Sequence, residues 1–159
     1  MTAIRVFIHG LESTSQGTKG RYFRGRYPEM IIEDYPGNLE ARMEKLEAGL
    51  AGKDKLMLVG SSYGGLMAAI YACRHPEKVR RLILLAPAIN LEEFKPYAGQ
   101  VLTIPVHLYH GRRDDMVPPG EVRAVAEGTF NDLHYRLVED DHSLLETFPG
   151  MPWEELLQE

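Results

Sequence analysis

The most chemically specific stretch of this sequence is a serine set between glycines. Residues 60–64 read Gly-Ser-Ser-Tyr-Gly, a G-x-S-x-G pattern centred on Ser62, and they separate an apolar run at 56–59 from a helix-like segment. In a strand–turn–helix context this spacing holds the serine in a strained backbone conformation, and the glycines remove the Cβ atoms that would clash in the tight turn. The pattern predicts a nucleophile at Ser62, with its hydroxyl above the edge of a sheet.

A serine hydroxyl needs a general base, and the base needs a carboxylate that orients it. His142 follows the last predicted strand, so we interpret it as the base. Asp114 and Asp115 follow the preceding strand, and either could supply the carboxylate. The serine, the aspartate and the histidine occur in the chain order Ser…Asp…His, each in a loop after a strand. This order predicts acyl transfer through a Ser-Asp-His triad.

Acyl transfer also requires N–H groups that stabilise the negative charge on the carbonyl oxygen. The residue after the nucleophile is Tyr63, and its N–H is one expected donor. The second donor should come from the loop after the first strand, which reads His9-Gly10-Leu11, and we assign it to the N–H of Leu11. Gly10 lets the backbone approach a substrate closely. We therefore predict an oxyanion hole formed by Leu11 and Tyr63.

These residues meet only if strands and helices alternate along the chain. Short runs of Val, Ile and Leu alternate with helix-like segments about six times, which indicates a three-layer α/β/α fold with a mostly parallel six-stranded sheet. Ligands of such sheets bind at the carboxyl ends of the strands. The predicted strands are 4–8, 30–32, 56–59, 82–85, 105–109 and 133–138. The predicted helices are 39–50, 63–74, 121–128, one starting at a Ser143–Glu146 capping box, and a short one at 153–158.

Length and composition exclude several other classes of protein. The 159 residues are 44% apolar and 26% charged, which is typical of a globular protein, and the length predicts one domain over residues 1–159. A single cysteine, Cys73, excludes an intrachain disulfide and argues against an oxidising compartment. No apolar run approaches the roughly 18 residues of a membrane span, and the first residues lack the apolar region of a signal peptide. We expect a cytoplasmic protein that does not insert into membranes.

The net charge of the chain and the spacing of its potential metal ligands restrict the kinds of partner and cofactor that we expect. A net charge of −5 argues against nucleic acid or an anionic membrane as the main partner. The expected partner is a small-molecule ester or thioester, and the sequence leaves the oligomeric state open. No His/Cys cluster has metal-ligand spacing, and no metal or organic cofactor is implied. Cys73 lies in the helix after Ser62 and is predicted to be a buried apolar residue rather than a second nucleophile.

Four motifs in this order resemble the α/β-hydrolase superfamily over nearly the whole chain. They are His9-Gly10, the glycine-rich turn at 60–65, the H-G-x-x-D-x-x-V-P run at 110–118, and Asp141-His142. The resemblance implies that the acid is Asp114, with Asp115 as the fallback, and that the strand order is 2-1-3-4-5-6. That order would place the loop after the first strand beside Ser62. The segment 75–79, His-Pro-Glu-Lys-Val, resembles a connection common in the family, which would make its histidine structural.

The chain departs from the common family pattern in two ways, and in both it resembles the small, lidless bacterial serine esterases of the superfamily. The first predicted strand begins at residue 4, without the two additional strands that often precede it, and the segment 87–103 is too short for a full lid, with at most a short helix at 91–97. The resemblance implies a minimal α/β-hydrolase fold, an open site, and hydrolysis of carboxylic esters through an acyl-enzyme. The expected acyl group is small or flexible.

Three other functions are compatible with these sequence features. A basic cluster at Lys19, Arg21, Arg24 and Arg26 could meet the phosphates of a CoA-type substrate, which would indicate an acyl-thioester hydrolase. A non-catalytic ligand-binding module on the same fold is the alternative from another class, although such proteins usually lack a triad member. Amide cleavage is less favoured than ester cleavage. The polar, glycine-containing segment 13–20 is hypothesised to be mobile and to cover the site.

Overall fold

Six parallel strands form one sheet in the computed structural model, which describes residues 2–159. The order is β2-β1-β3-β4-β5-β6, and every neighbouring pair is parallel. This confirms the predicted fold class and strand order. The strands are β1 (Ile4–Ile8), β2 (Ile31–Ile32), β3 (Leu56–Ser61), β4 (Val79–Leu85), β5 (Leu102–Gly111) and β6 (Phe130–Val138).

Helices connect the strands, and the two longest have the predicted bounds. Asn38 begins one of them by accepting a hydrogen bond from the N–H of Ala41 at 2.9 Å, and the apolar face of that helix is buried. Among residues 2–159 no helix combines the length and the apolarity that a membrane span requires. The helices are α1 (Thr18–Arg26), α2 (Leu39–Leu50), α3 (Tyr63–Arg74), α4 (Pro119–Thr129) and α5 (Trp153–Leu156). Short 3-10 turns occur at Pro76–Lys78, Glu92–Phe94 and Phe148–Gly150.

The sheet is covered on both faces, which explains why its strands read as unbroken apolar runs. Side chains of successive strand residues point to opposite faces. In β3, Leu56 and Leu58 therefore pack in one core together with α2, α3 and α4, whereas Met57 and Val59 pack in a second core. All four side chains are fully buried. The second core also contains Phe23 of α1 and the aromatic residues of the C-terminal segment.

The prediction of a helix starting at the Ser143–Glu146 capping box is wrong. The chain forms turns there and then a short 3-10 turn. The carboxylate of Asp141 accepts the N–H of Ser143 at 3.0 Å and its hydroxyl at 2.6 Å. In a capping box that N–H would instead donate to the side chain of Glu146. The carboxylate of Asp140 accepts the N–H and the hydroxyl of Thr147, each at 2.8 Å. The two aspartates therefore stabilise turns in place of a helix.

The segment between β4 and β5 carries the 3-10 turn Glu92–Phe94 in place of the predicted short helix at 91–97. Its Phe94 side chain is fully buried against the first core. The described chain therefore has no lid domain at this position, and the carboxyl edge of the sheet stays open.

Candidate active site

Ser62 lies between the end of β3 and the start of α3 in a strained backbone conformation. Its φ is 55° and its ψ is −113°, a region that side-chain-bearing residues rarely occupy. A Cβ atom on Gly64 would overlap the carbonyl oxygens of Ile8 and His9, and one on Gly60 would overlap the carbonyl oxygen of Gly64. The close packing of α3 on β1 and β3 therefore requires glycine on both sides of Ser62.

The structure brings Ser62, His142 and Asp114 into one hydrogen-bonded row. The Ser62 hydroxyl lies 2.9 Å from Nε2 of His142, and Nδ1 of that ring lies 2.6 Å from Oδ2 of Asp114. An ionised carboxylate only accepts hydrogen bonds, so Nδ1 carries the ring proton and Nε2 is left to accept from the hydroxyl. The exposed fallback residue, Asp115, takes no part in this row.

The Asp114 side chain is fully buried and surrounded by hydrogen-bond donors. Oδ1 accepts the N–H groups of Met116 and Val117 at 2.9 and 2.8 Å, and Oδ2 accepts from His142. Burial alone raises the pKa of Asp114. Hydrogen bonds from Val117, His142 and Met116 lower the pKa by more than burial raises it, so the pKa of Asp114 lies below its ordinary value. The carboxylate is therefore ionised at neutral pH.

A second histidine contacts the same carboxylate, and the sequence analysis missed it. Nε2 of His110 lies 3.1 Å from Oδ2 of Asp114 and 3.0 Å from the carbonyl oxygen of Val117. Both neighbours are acceptors, so Nε2 carries the proton. Nδ1 of His110 is buried and has no partner among residues 2–159. Burial lowers the pKa of His110 more than Val117 and Asp114 raise it, which keeps the ring neutral at pH 7. The first position of the H-G-x-x-D motif was the available signal.

Backbone hydrogen bonds join the loop that carries Asp114 to the loop that carries His142. The N–H of Arg112 donates to the carbonyl oxygen of Val138 at 2.8 Å, and the N–H of Arg113 donates to that of Asp140 at 3.0 Å. A Cβ atom on Gly111 would overlap the carbonyl oxygen of Asp140. The ends of β5 and β6 are thus held in close contact.

The loop after β1 packs against Ser62. A Cβ atom on Gly10 would lie 3.3 Å from the carbonyl oxygen of Ser61 and 3.4 Å from Cβ of Ser62. Within residues 2–159 the N–H groups of Leu11 and Tyr63 donate no hydrogen bond. Both predicted oxyanion donors are therefore unpaired in segments that meet at Ser62.

His9 fixes the orientation of the Gly10–Leu11 peptide. Its Nε2 accepts the N–H of Tyr35 at 2.9 Å, so its Nδ1 carries the proton. That Nδ1–H donates to the carbonyl oxygen of Gly10 at 2.7 Å. The N–H of Leu11 belongs to the same planar peptide and points away from that carbonyl oxygen.

A cavity of about 490 Å³ opens over Ser62 and His142. Its walls come from the loops after β1, β3, β5 and β6 and from the start of α1. A second cavity of about 540 Å³ lies between α2, α3 and the 3-10 turn after β4, and it contains neither residue. The apolar residues that line the first cavity are Phe7, Leu11, Met116, Val117 and Leu145.

Of the predicted basic cluster, Lys19 alone lines the described cavity. Its Nζ donates to the carbonyl oxygen of Ser143 at 2.6 Å. Burial lowers the pKa of Lys19, and the nearby Asp140 and Asp141 offset part of that effect. The other three members are exposed and lie outside the cavity: Arg21, Arg24 and Arg26. The cluster does not converge on one binding site.

The segment 13–20, which was predicted to cover the site, forms one wall of the cavity and leads into α1. Ser15 at its middle is buried, and its N–H donates to the Asp34 carboxylate at 2.8 Å. The guanidinium of Arg24 donates to the carbonyl oxygen of Ser15 at 3.2 Å. These contacts anchor the segment at Ser15, and its mobility stays a prediction.

Cys73 lies near the end of α3 and is partly buried. Burial raises the pKa of its thiol to about 11, so the thiol is protonated at neutral pH. This supports the prediction that Cys73 is not a competing nucleophile.

Sequence comparison relates part of the chain to known proteins. A family model described as alpha/beta hydrolase fold matches residues 33–102. Over 102 residues the chain is 32% identical to the biotin biosynthesis bifunctional protein BioHC of Teredinibacter turnerae. That match covers 53% of this chain and 17% of BioHC, so the chain spans less than a fifth of that relative's length.

Solved structures share the fold over nearly the whole chain. Alpha/beta hydrolase domain-containing protein 10 from mouse superimposes with a TM-score of 0.75 at 24% identity, covering 93% of this chain and 85% of the mouse chain. A monoacylglycerol lipase from Paleococcus ferrophilus superimposes with a TM-score of 0.73 at 16% identity, covering 99% and 96% of the two chains. The family model and the superimposed structures agree in indicating an α/β-hydrolase fold for this chain.

Proposed function

We propose that the protein is a serine hydrolase that cleaves carboxylic esters through an acyl-enzyme. The observation that carries the proposal is the row from Ser62 through His142 to Asp114, with separations of 2.9 and 2.6 Å. Two unpaired N–H groups beside Ser62 and a cavity over it supply the other requirements of acyl transfer. The lipase among the structural neighbours is consistent with this chemistry.

In the acylation step, Oγ of Ser62 attacks the ester carbonyl carbon while Nε2 of His142 takes the hydroxyl proton. Asp114 holds Nδ1–H and stabilises the positive charge that forms on the ring. The carbonyl oxygen becomes an oxyanion, which accepts hydrogen bonds from the N–H groups of Leu11 and Tyr63. His142 then gives its proton to the departing alkoxide oxygen, the C–O bond breaks, and the alcohol leaves the acyl-enzyme.

In the deacylation step, water takes the place of the alcohol. His142 removes a proton from the water as its oxygen attacks the acyl carbon, and the same two N–H groups stabilise the second oxyanion. Collapse of this intermediate breaks the bond to Oγ, and His142 returns the proton to Ser62. The carboxylic acid is released and the enzyme is regenerated.

Ser62 and Ser61 provide a matched test. Ser62→Ala is expected to reduce kcat for p-nitrophenyl butyrate by about 10⁴-fold or more and to abolish labelling by a fluorophosphonate probe. Ser61→Ala should keep both, because the proposal gives that hydroxyl no chemical role. Circular dichroism checks that both variants are folded. Normal turnover by folded Ser62→Ala would refute the proposal, and a wild-type protein that fails to react with the probe would favour a binding module.

Acyl-thioester hydrolysis is the second candidate, because Lys19 lines the cavity. Comparing butyryl-CoA with p-nitrophenyl butyrate in the wild type and in Lys19→Met separates the two. A CoA thioesterase should prefer the thioester and lose that preference in the variant. An esterase should hydrolyse the two butyryl substrates without a preference that depends on Lys19.

A further inference from the structure

Strongly exposed, large apolar side chains are concentrated at one place in the molecule. Among residues 2–159 there are four: Leu11 is 51% exposed, Met116 66%, Leu145 51% and Val101 72%. The first three line the cavity over Ser62. Single exposed apolar residues are ordinary, but three around the same cavity indicate a binding surface. We call Leu11, Met116 and Leu145 the apolar rim.

The apolar rim is built from three separate loops, which follow β1, β5 and β6. The same loops carry the N–H of Leu11, Asp114 and His142. The backbone N–H of Met116 is fixed by the Asp114 carboxylate at 2.9 Å. The same three loops therefore position both the apolar rim and the reacting groups, so a molecule bound at Ser62 lies beside the rim.

The apolar surface continues from the rim into the cavity. Phe7 and Val117 line its inner part and are 2% and 8% exposed. Lys19 is the one cation among the described lining residues, and its ammonium already donates to the carbonyl oxygen of Ser143. The field of Asp140 and Asp141 acts on it as well. The positive charge of Lys19 is thus partly offset by two carboxylates and one of its N–H groups is occupied, whereas apolar surface is abundant in the cavity.

We infer that the apolar rim binds an uncharged aliphatic acyl chain, and that the preferred substrates are esters of medium-length fatty acids rather than acetates. The inference rests on the proposed ester hydrolysis at Ser62. A chain attached to the carbonyl carbon at Ser62 extends along Phe7 and Val117 towards the rim. Each methylene that leaves water on binding contributes up to about fourfold to kcat/KM.

The test is a series of p-nitrophenyl esters with acyl chains of two, four, six and eight carbons. In the wild type, kcat/KM should rise along the series, by at least tenfold in total. The double variant Met116→Ser/Leu145→Ser should lower the ratio of octanoate to acetate kcat/KM by about tenfold. Both side chains are largely exposed, so the substitutions leave the cores intact. Val101→Ser removes an apolar side chain that is also strongly exposed but lies away from the cavity, and it should leave the ratio unchanged.

The possible outcomes separate this inference from the proposed function. A flat or falling series in a protein that hydrolyses acetate and reacts with fluorophosphonate overturns the inference alone. So does a double variant whose ratio equals that of Val101→Ser. If the double variant instead loses self-association in sedimentation at an unchanged ratio, the rim is a protein contact and the inference is wrong. A folded protein without hydrolysis or labelling overturns both.

Discussion

Nε2 of His110 lies 3.1 Å from Oδ2 of Asp114, the same oxygen that accepts a hydrogen bond from His142. Two rings therefore share one carboxylate oxygen. The other oxygen accepts two backbone N–H groups. Four donors fix the carboxylate in position and orientation, so the proposed acid has little freedom to rotate away from the proposed base.

Replacing His110 tests how much this arrangement stabilises the fold. In His110→Leu, Oδ2 of Asp114 loses one donor and the carbonyl oxygen of Val117 loses its donor in a buried site. The free energy of unfolding should fall by about 1–3 kcal/mol, measured by urea denaturation at pH 7.5. His110→Gln keeps an N–H donor at a similar reach and should lose less. Equal losses in the two variants would show that the hydrogen bonds of His110 do not matter for stability.

The lowered pKa of His110 predicts a pH-dependent stability. In the unfolded chain this histidine takes up a proton near its ordinary pKa of 6.5, whereas burial in the folded protein delays protonation to lower pH. Below pH 6.5 the unfolded state therefore binds more protons, and the free energy of unfolding decreases as the pH falls. The limit is about 1.4 kcal/mol per pH unit for one histidine. His107 has a lowered pKa through burial and through His134, and it contributes in the same direction.

Urea denaturation at pH 7.5, 6.5 and 5.5 measures this effect. The carboxylate of Asp114 has a lowered pKa, so its contribution is lost only below the ordinary value of 3.8 and does not enter this range. His110→Gln should show a shallower decrease than the wild type. Parallel pH profiles of the two proteins would contradict the assignment of this slope to His110.

The backbone strain at Ser62 predicts a difference between two inactive variants. Ser62→Ala and Ser62→Gly both remove the hydroxyl and its hydrogen bond to His142, but only glycine adopts a φ of 55° with a ψ of −113° without a steric penalty. The glycine variant should be more stable than the alanine variant by about 1–2 kcal/mol in thermal or urea denaturation. Identical stabilities would mean that the turn is not strained.

Two glycines predict opposite effects of the same substitution. Gly64→Ala places a Cβ atom on the carbonyl oxygens of Ile8 and His9 and should destabilise the protein by at least about 2 kcal/mol, as in overpacked cores. Gly49→Ala in α2 meets open space and should stabilise by about 0.5–1 kcal/mol. Denaturation curves of both variants check this, and a stable Gly64→Ala would contradict the close packing of α3 on β1.

The sequence predicted which strands exist better than it predicted where they end. The fifth strand was expected at 105–109, whereas β5 extends over Leu102–Gly111. At its two ends the added residues pair with β6, Leu102 opposite Phe130 and Gly111 opposite Val138. Such pairing depends on a neighbour far along the chain, and no local pattern of apolar residues records it.

Helix α1 could not be predicted for a related reason. Its sequence contains Gly20 and Gly25, which disfavour a helix, and it has no regular apolar face. The helix is held by Phe23, whose ring lies 5.4 Å from that of Phe148 and 4.8 Å from that of Trp153. These partners come from the other end of the chain, so only the tertiary fold stabilises α1.

The residues of the candidate site were easier to predict than the bounds of the surrounding strands and helices. Short motifs such as G-x-S-x-G occur where the backbone must make a particular tight turn, so they can be recognised without knowledge of the tertiary fold. Ser62, Asp114 and His142 were predicted from short patterns, and the structure places His142 within hydrogen-bond distance of both Ser62 and Asp114. The contact of His110 with Asp114 was missed because it depends on how the loop after β5 folds back. The position of Lys19 in the cavity wall could not be predicted either, because it depends on how α1 packs against the loop after β6.

The backbone hydrogen bonds from Arg112 to Val138 and from Arg113 to Asp140 have a mechanical consequence. They join the loop of Asp114 to the loop of His142, while Ser62 stands on a separate turn across the sheet. Because these bonds connect the two loops directly, we expect a displacement of one loop to carry the other with it, so that the carboxylate and the imidazole move together.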